Sequence, residues 1–501
     1  MTLTTTTTQT AKLDTTPSWK DISDSKIHAL NTSIPEEWRI PEHLLPPKDQ
    51  ADVTQWPETS GWFTKDELAI TSLTAAELLK KLASGNLTCE HVTKAFCKKA
   101  CAAHQLVTAQ TQQRIDTNCL AETCFDRALQ TARHLDAHLA QTGKPIGPLH
   151  GLPISLKDNF NLVGLDSTVG FTSHVGDPAM SDSALATLLQ NAGAVFYVKT
   201  NVPTAMMIAE SVNNTFGRTV NPMNRNTTSG GSSGGESALI AFGGSPLGVG
   251  SDIGGSLRIP AACTGLFTIR PSAGRFPVRN TRSGMPGQEA VASVNGPLAR
   301  TLQDVQLYSK AVIDAQPWLF DPKCLPIPWR PVQLPEKLKI AFMSHDGMEL
   351  ERTDEPWRPE MEAYRTARDL STSEMWKLHL ERTAFQNRYL DRWNKAGIDA
   401  IICPTTPYST LRHGSFRHVA YTGVFNVVDY SAVSFPTGIS VDKDVDKLGS
   451  YEPLSPLCKS VNEDYDAELV HGLPVSLQIV ARRLEEEKVL AMAKLVHETI
   501  E

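Results

Sequence analysis

From Gly151 onward the chain alternates short apolar runs with helical stretches, and that alternation limits the fold more than any other feature. Residues 154–157 read as a buried strand, 183–190 as a helix ending near Gly193, and 194–199 as the next strand. Residues 237–242 read as a helix entering a Gly-Gly turn, and 247–250 as a strand feeding a glycine loop. Strands are also expected at 338–343, 398–403 and 473–480, with a terminal helix over 485–500. Short strands that are apolar throughout must be covered on both sides. The expected class is therefore α/β, a large mixed β-sheet with helices on both faces. No linker-like stretch divides residues 17–501 and no repeat is visible, so one large domain is expected.

Residues 1–16 are a threonine-rich polar tail, expected to be disordered. Residues 17–140 form an N-terminal arm and helical layer. Pro41, Pro46, Pro47 and Pro57 suggest an irregular arm, and Thr74 with Glu77 makes a capping box whose helix ends at Gly85. A net charge of −7 supplies no basic excess for nucleic acid or an anionic membrane surface. No run of eighteen apolar residues exists, so no membrane span is expected. The N-terminus has neither a basic nor an apolar leader region, which points to a cytoplasmic protein. Nine cysteines are scattered, and neither Cys97/Cys101 nor Cys119/Cys124 completes a zinc pattern. They read as thiols filling apolar space in a reducing compartment. His134 and His138 lack a third ligand and read as a solvated helix face, so neither a metal nor another cofactor is expected.

Two serine-rich glycine loops carry the chemistry. Gly230-Gly231-Ser232-Ser233-Gly234-Gly235 precedes Ser251-Asp252-Ile253-Gly254-Gly255-Ser256-Leu257-Arg258, and Lys157 lies upstream in an apolar strand. A serine hydroxyl is a poor nucleophile until a base takes its proton. Burial disfavours the ammonium form of lysine. Holding a lysine neutral at pH 7 costs ~4–5 kcal/mol from a reference pKa of ~10.4, so a buried strand suits a basic lysine. Glycines before Ser256 let successive backbone N–H groups converge on one oxygen, as an oxyanion hole requires. Residues 230–234 also match the Gly-x-Ser-x-Gly elbow of α/β-hydrolases. That elbow needs a buried strand before it, and residues 221–228 are polar and turn-like. No triad histidine stands out either, among His413, His418 or His471.

These residues, with 151–157, Lys199-Thr200-Asn201-Val202-Pro203, 213–219, Pro260-Ala261-Ala262 and 472–478, resemble the amidase signature family, in particular its fungal acetamidase-like general amidases. The likeness runs from about Trp19 to Val496, with the signature core at 151–300. It implies the amidase signature fold and a Ser-cisSer-Lys triad: Ser256 as nucleophile, Ser232 as relay on a cis Gly231–Ser232 bond, and Lys157 as base. It also implies an oxyanion hole from the N–H groups of Ile253, Gly254, Gly255 and Ser256. Gly231, Ser232 and Met206 would meet substrate, and Asp252, Arg258, Ser233 and Ser251 would brace the loops. The implied partner is a small-molecule amide, hydrolysed to acid and ammonia, and relatives often pair as homodimers.

Thr268, Ser229 and Ser237 depart from the family pattern without touching the triad. A larger departure follows residue 343: the passage from Ser344 to Trp357 is short, and 344–356 reads as a deletion of several tens of residues relative to the family. A lost exon or an opened pocket would each produce it. Two further readings stand beside the amidohydrolase: an amidotransferase-type subunit that passes ammonia to a partner, and a degenerate non-catalytic homologue.

Overall fold

The protein is described from a computed structural model covering residues 17–106, 119–343, 368–449, 452–453 and 455–500, with the backbone of 108–109 and 116–117. The tail expected at 1–16 and the shortened stretch at 344–356 lie outside the described residues.

Ten strands form the main sheet. In chain order they are β1 (Leu120–Thr123), β2 (Pro153–Lys157), β3 (Val195–Thr200), β4 (Leu247–Asp252), β5 (Phe267–Arg270), β6 (Val294–Ala299), β7 (Ile340–Phe342), β8 (Ala400–Pro404), β9 (Ala432–Ser440) and β10 (Pro474–Val480). Across the sheet they run β7-β8-β10-β9-β5-β6-β4-β2-β3-β1. The β4–β2, β2–β3 and β7–β8 pairs are parallel and the others antiparallel. The expected mixed sheet is therefore present. β2, β3 and β4 are buried at every position, as their apolar runs require.

The helices used below are α1 (Trp19–Thr32), α2 (Ala75–Ala83), α3 (Cys89–Leu106), α4 (Phe125–Thr142), α5 (Ala184–Asn191), α6 (Gly234–Ala241), α7 (Arg258–Cys263), α8 (Leu302–Asp314), α9 (Thr372–Ala396), α10 (Ala420–Val427) and α11 (Glu486–Ile500). One core cluster joins the N-terminal segment and α2–α4 to β2, β3 and β4. Another joins α8 and α11 to β5, β8, β9 and β10. Thr74 and Glu77 form both halves of the capping box that opens α2. Gly85 follows that helix with φ +72°.

Several local readings change. The arm begins with a regular helix, α1, opened by a Ser18–Asp21 capping box and followed only later by the proline-rich turns. α6 starts at Gly234, three residues before its expected start, because its first turn is built from the glycine pair itself. β1 lies in a stretch whose apolar spacing reads as helical; a four-residue edge strand is too short to show its own period. β6 contains Gly296 and Pro297, and β9 contains Pro436 and Gly438, so neither reads as a strand. All nine cysteines are free thiols, seven of them buried. Among the described residues no His, Cys, Asp or Glu group could hold a metal ion. No helix among them is long and apolar enough to cross a membrane.

Candidate active site

Lys157 ends β2, paired with Thr200 across the β2–β3 ladder, and its side chain is fully buried. Its Nζ lies 2.8 Å from Ser232 Oγ, 2.9 Å from Ser251 Oγ and 3.4 Å from the Ser251 carbonyl. Burial pulls its ammonium down to about 7, against the pull of the carboxyl groups of Asp252, Glu236 and Asp158. No carboxylate is hydrogen-bonded to Nζ, so desolvation wins. An amine at this position can accept a hydrogen bond from a serine hydroxyl; an ammonium cannot.

Ser232 follows a cis Gly231–Ser232 peptide bond and precedes α6. The loop is pinned on several sides. Gly234 N–H donates to Ser211 Oγ (2.9 Å), Gly235 N–H to the Asn201 carbonyl (3.2 Å) and Ser237 Oγ to the Ser229 carbonyl (2.9 Å). Ser233 Oγ reaches the Ser251 carbonyl at 3.3 Å and so joins the two glycine loops.

Ser256 stands between β4 and α7, in a loop wound around a buried carboxylate. Asp252 accepts from Gly255 N–H at 2.8 Å and Leu257 N–H at 3.2 Å. Arg258 donates to both of its oxygens at 3.1 Å, and Asn426 Nδ2 adds a bond of 2.8 Å. Burial opposes the anion, but the Arg258 guanidinium and these donors hold the Asp252 carboxyl well below the usual range. Gly255 has φ +130°, and a Cβ there would overlap Thr422 Oγ1, so only glycine fits. Gly255 is the exception among the expected oxyanion donors, because its N–H is engaged by Asp252. The N–H groups of Ile253, Gly254 and Ser256 have no partner among the described residues.

Ser232, Ser251, Ile253 and Ser256 line one cavity of about 60 Å³. Met206, Met207 and Met285 supply apolar lining. Met206 holds a left-handed φ of +57°. Gly231 does not line the cavity; its α-carbon packs against the Ile208–Glu210 backbone. No hydrogen bond joins Ser256 Oγ to Ser232 Oγ in this arrangement.

Sequence reasoning did not find Thr422, Asn426 or Glu236. Thr422 Oγ1 donates to the Gly254 carbonyl at 2.6 Å, and its own carbonyl accepts from Arg258 Nη1 at 3.1 Å. Asn426 Oδ1 accepts from Arg258 Nη2 at 2.6 Å. Gln478, noted only as part of the C-terminal strand, accepts from Arg258 Nη1 at 3.2 Å. These residues come from α10 and β10, and nothing in their local sequence marks them. Glu236 carried a weaker signal, a carboxylate directly beside the glycine pair.

The sequence profile described as Amidase matches residues 92–356 and 351–490. An acetamidase of Emericella nidulans is 38% identical over 550 residues, covering 96% of this chain and 98% of that protein. An acetamidase of Aspergillus oryzae is 39% identical over 550 residues, covering 96% and 98%. Both alignments are longer than this chain of 501 residues, so both relatives carry segments absent here. Among solved structures, a fatty acid amide hydrolase superposes with a TM-score of 0.88 at 31% identity, covering 96% of this chain and 95% of that one. The sheet, the paired glycine-serine loops and these full-length likenesses agree: the chain belongs to the amidase signature family of hydrolases.

Proposed function

We propose that this protein is a serine amidohydrolase that cleaves a carboxylic amide to acid and ammonia through an acyl-enzyme. Contact of a fully buried Lys157 with Ser232 Oγ at 2.8 Å is the observation that carries it. In the proposed cycle neutral Lys157 takes the Ser232 proton while Ser232 takes the Ser256 proton. Ser256 Oγ then attacks the amide carbonyl carbon. Charge develops on the carbonyl oxygen, near the free N–H groups of Ile253, Gly254 and Ser256. The relay returns its proton to the leaving nitrogen, the C–N bond breaks and ammonia departs. Water then attacks the Ser256 ester by the same route. The separation of Ser256 from Ser232 fits a resting enzyme, since catalytic hydrogen bonds often tighten only when substrate binds. Asp252, Arg258, Ser233 and Ser251 brace the loops in this scheme, and Met206 faces the acyl group. A small aliphatic amide is the proposed substrate, because the cavity is modest and two of the relatives are named acetamidases.

Ser256→Ala and Lys157→Ala should each lower kcat on acetamide by roughly 10²–10⁴-fold or more with native thermal unfolding. Intact mass after treatment with a fluorophosphonate should show one adduct, lost in Ser256→Ala. Full activity in either variant, or labelling that persists without Ser256, defeats the reading. As Lys157 must be unprotonated to act, kcat/KM should rise with pH through a limb near 7.

A further inference from the structure

Glu236 is a fully buried carboxyl group in the first turn of α6, one residue beyond the glycine pair. Its side chain lies across β4, where a Cβ on Gly248 would overlap Oε2. It reaches the next two strands on one side of β4. Thr200 Oγ1 of β3 donates to Oε1 at 2.8 Å, and Ser155 Oγ of β2 lies 2.6 Å from Oε2. Ser155 is two residues before Lys157 on the same strand face, and Thr200 is the ladder partner of Lys157. Glu236 is thus seated one pleat from the lysine, on the strands that carry it.

The serine hydroxyls of this cluster carry fewer hydrogens than the short contacts they make. Ser245 has one hydroxyl hydrogen, and it goes to the Leu247 carbonyl at 2.8 Å. The 3.0 Å contact between Ser155 Oγ and Ser245 Oγ must then use the hydrogen of Ser155. Nothing remains for the 2.6 Å contact between Ser155 and Glu236 unless the carboxyl supplies it. One proton on Oε2 gives each of these three contacts a hydrogen, in a chain from Glu236 through Ser155 and Ser245 to the Leu247 carbonyl. A carboxylate would leave one contact as two facing oxygens with no hydrogen.

We propose that Glu236 is a positioning residue for Lys157, held as a neutral carboxylic acid beside it so that the lysine remains an amine. The proposal rests on the reading of Lys157 as the base. If the proton passed from Glu236 to Lys157, an amine and an acid would become an ammonium and a carboxylate, and the relay would stop. Burial opposes that transfer: it pushes Glu236 up to about 8, with only neutral hydroxyls as direct partners. Its place at the start of a helix pulls the other way, but weakly beside complete burial. The other groups around the pair are accounted for. Asp252 of β4 is bound to Arg258, and Asp158 at the end of β2 faces Lys199 of β3 at 3.9 Å. Near Glu236 the Cys119 thiol and Tyr197 phenol are pushed up by burial and stay protonated.

An ionised Glu236 would raise the proton affinity of Lys157 and carry the acid limb of activity to higher pH. Glu236→Gln keeps a donor and an acceptor in place and stands in for the neutral acid. In that variant the limb of kcat/KM on acetamide should stay within about 0.3 of a pH unit of the wild-type position. A limb that moves to lower pH by about half a unit or more would show that the wild-type group carries charge there, and overturns the proposal. A second measurement needs no activity. Protein with ¹³C-labelled glutamate should show a protonated-carboxyl infrared stretch at neutral pH that disappears well above about 8 and is absent from Glu236→Gln. Lack of that band at neutral pH also overturns the proposal. Full activity of Lys157→Ala would instead remove the base assignment while leaving the infrared result to decide the protonation of Glu236.

Discussion

Asp252 organises the Ser256 loop as a single carboxylate meeting five donors: two backbone N–H groups, two nitrogens of Arg258 and the amide of Asn426. A buried ion pair of this kind holds only while its remaining hydrogen-bonding positions are filled. Asn426 fills one, and its own oxygen takes a guanidinium hydrogen at 2.6 Å. Asn426→Ala should therefore cost about 1–3 kcal/mol of stability, the penalty for leaving buried charged groups underpaired. It should also lower kcat more than it changes KM, because the loop that carries the free N–H groups would lose its brace. Denaturant unfolding and steady-state kinetics on acetamide check both. An unchanged kcat would mean that Asp252 and Arg258 hold the loop alone. Asp252 and Arg258 could be singled out from the sequence because both stand within the glycine-serine motif. Asn426 is 174 residues from Asp252, and no local pattern links them.

Helix α6 and strand β4 touch through the close approach of Glu236 to Gly248. The glycine leaves room for a carboxyl group where other strand residues would carry a side chain. Gly248→Ala should force the helix and sheet apart, at about 1–3 kcal/mol of overpacking. Since α6 also carries the Ser232 loop, the variant should lose activity along with thermal stability. A native melting temperature with native kcat would mean that the helix shifts freely. How well an element could be read from sequence followed its composition. β2, β3 and β4 were legible because a strand buried on both faces is apolar at nearly every position. β6 was not: Asn295, Gly296 and Pro297 describe a loop by propensity, yet the strand is held between β4 and β5. Its neighbours supply the burial and hydrogen bonds that its own residues do not suggest.

Across the whole molecule, the N-terminal segment is tied to the body by polar clamps as well as by packing. Arg225 donates to the carbonyls of Pro47, Lys48 and Gln50, at 3.0, 3.3 and 2.6 Å. Lys26 of α1 binds Asp166 at 2.8 Å and also pairs with Glu122 of β1. Arg225→Ala should free the stretch around residues 45–52 for proteolysis at concentrations that leave the wild type intact, with little change in global unfolding. Equal cleavage of the two proteins would show that apolar packing alone holds the arm. The alternation after Gly151, the apolar β2–β4 runs and the two glycine-serine loops were enough to indicate an α/β sheet and to single out Lys157 and the two serine loops as the candidate site, because burial and glycine conformation act over a few neighbouring residues. Three features needed the folded chain: Gly255's N–H is taken by Asp252, α10 braces the Ser256 loop, and Glu236 sits beside Lys157. The first is set by the loop's own three-residue fold, and the other two join segments far apart in sequence, which meet only once the sheet has assembled.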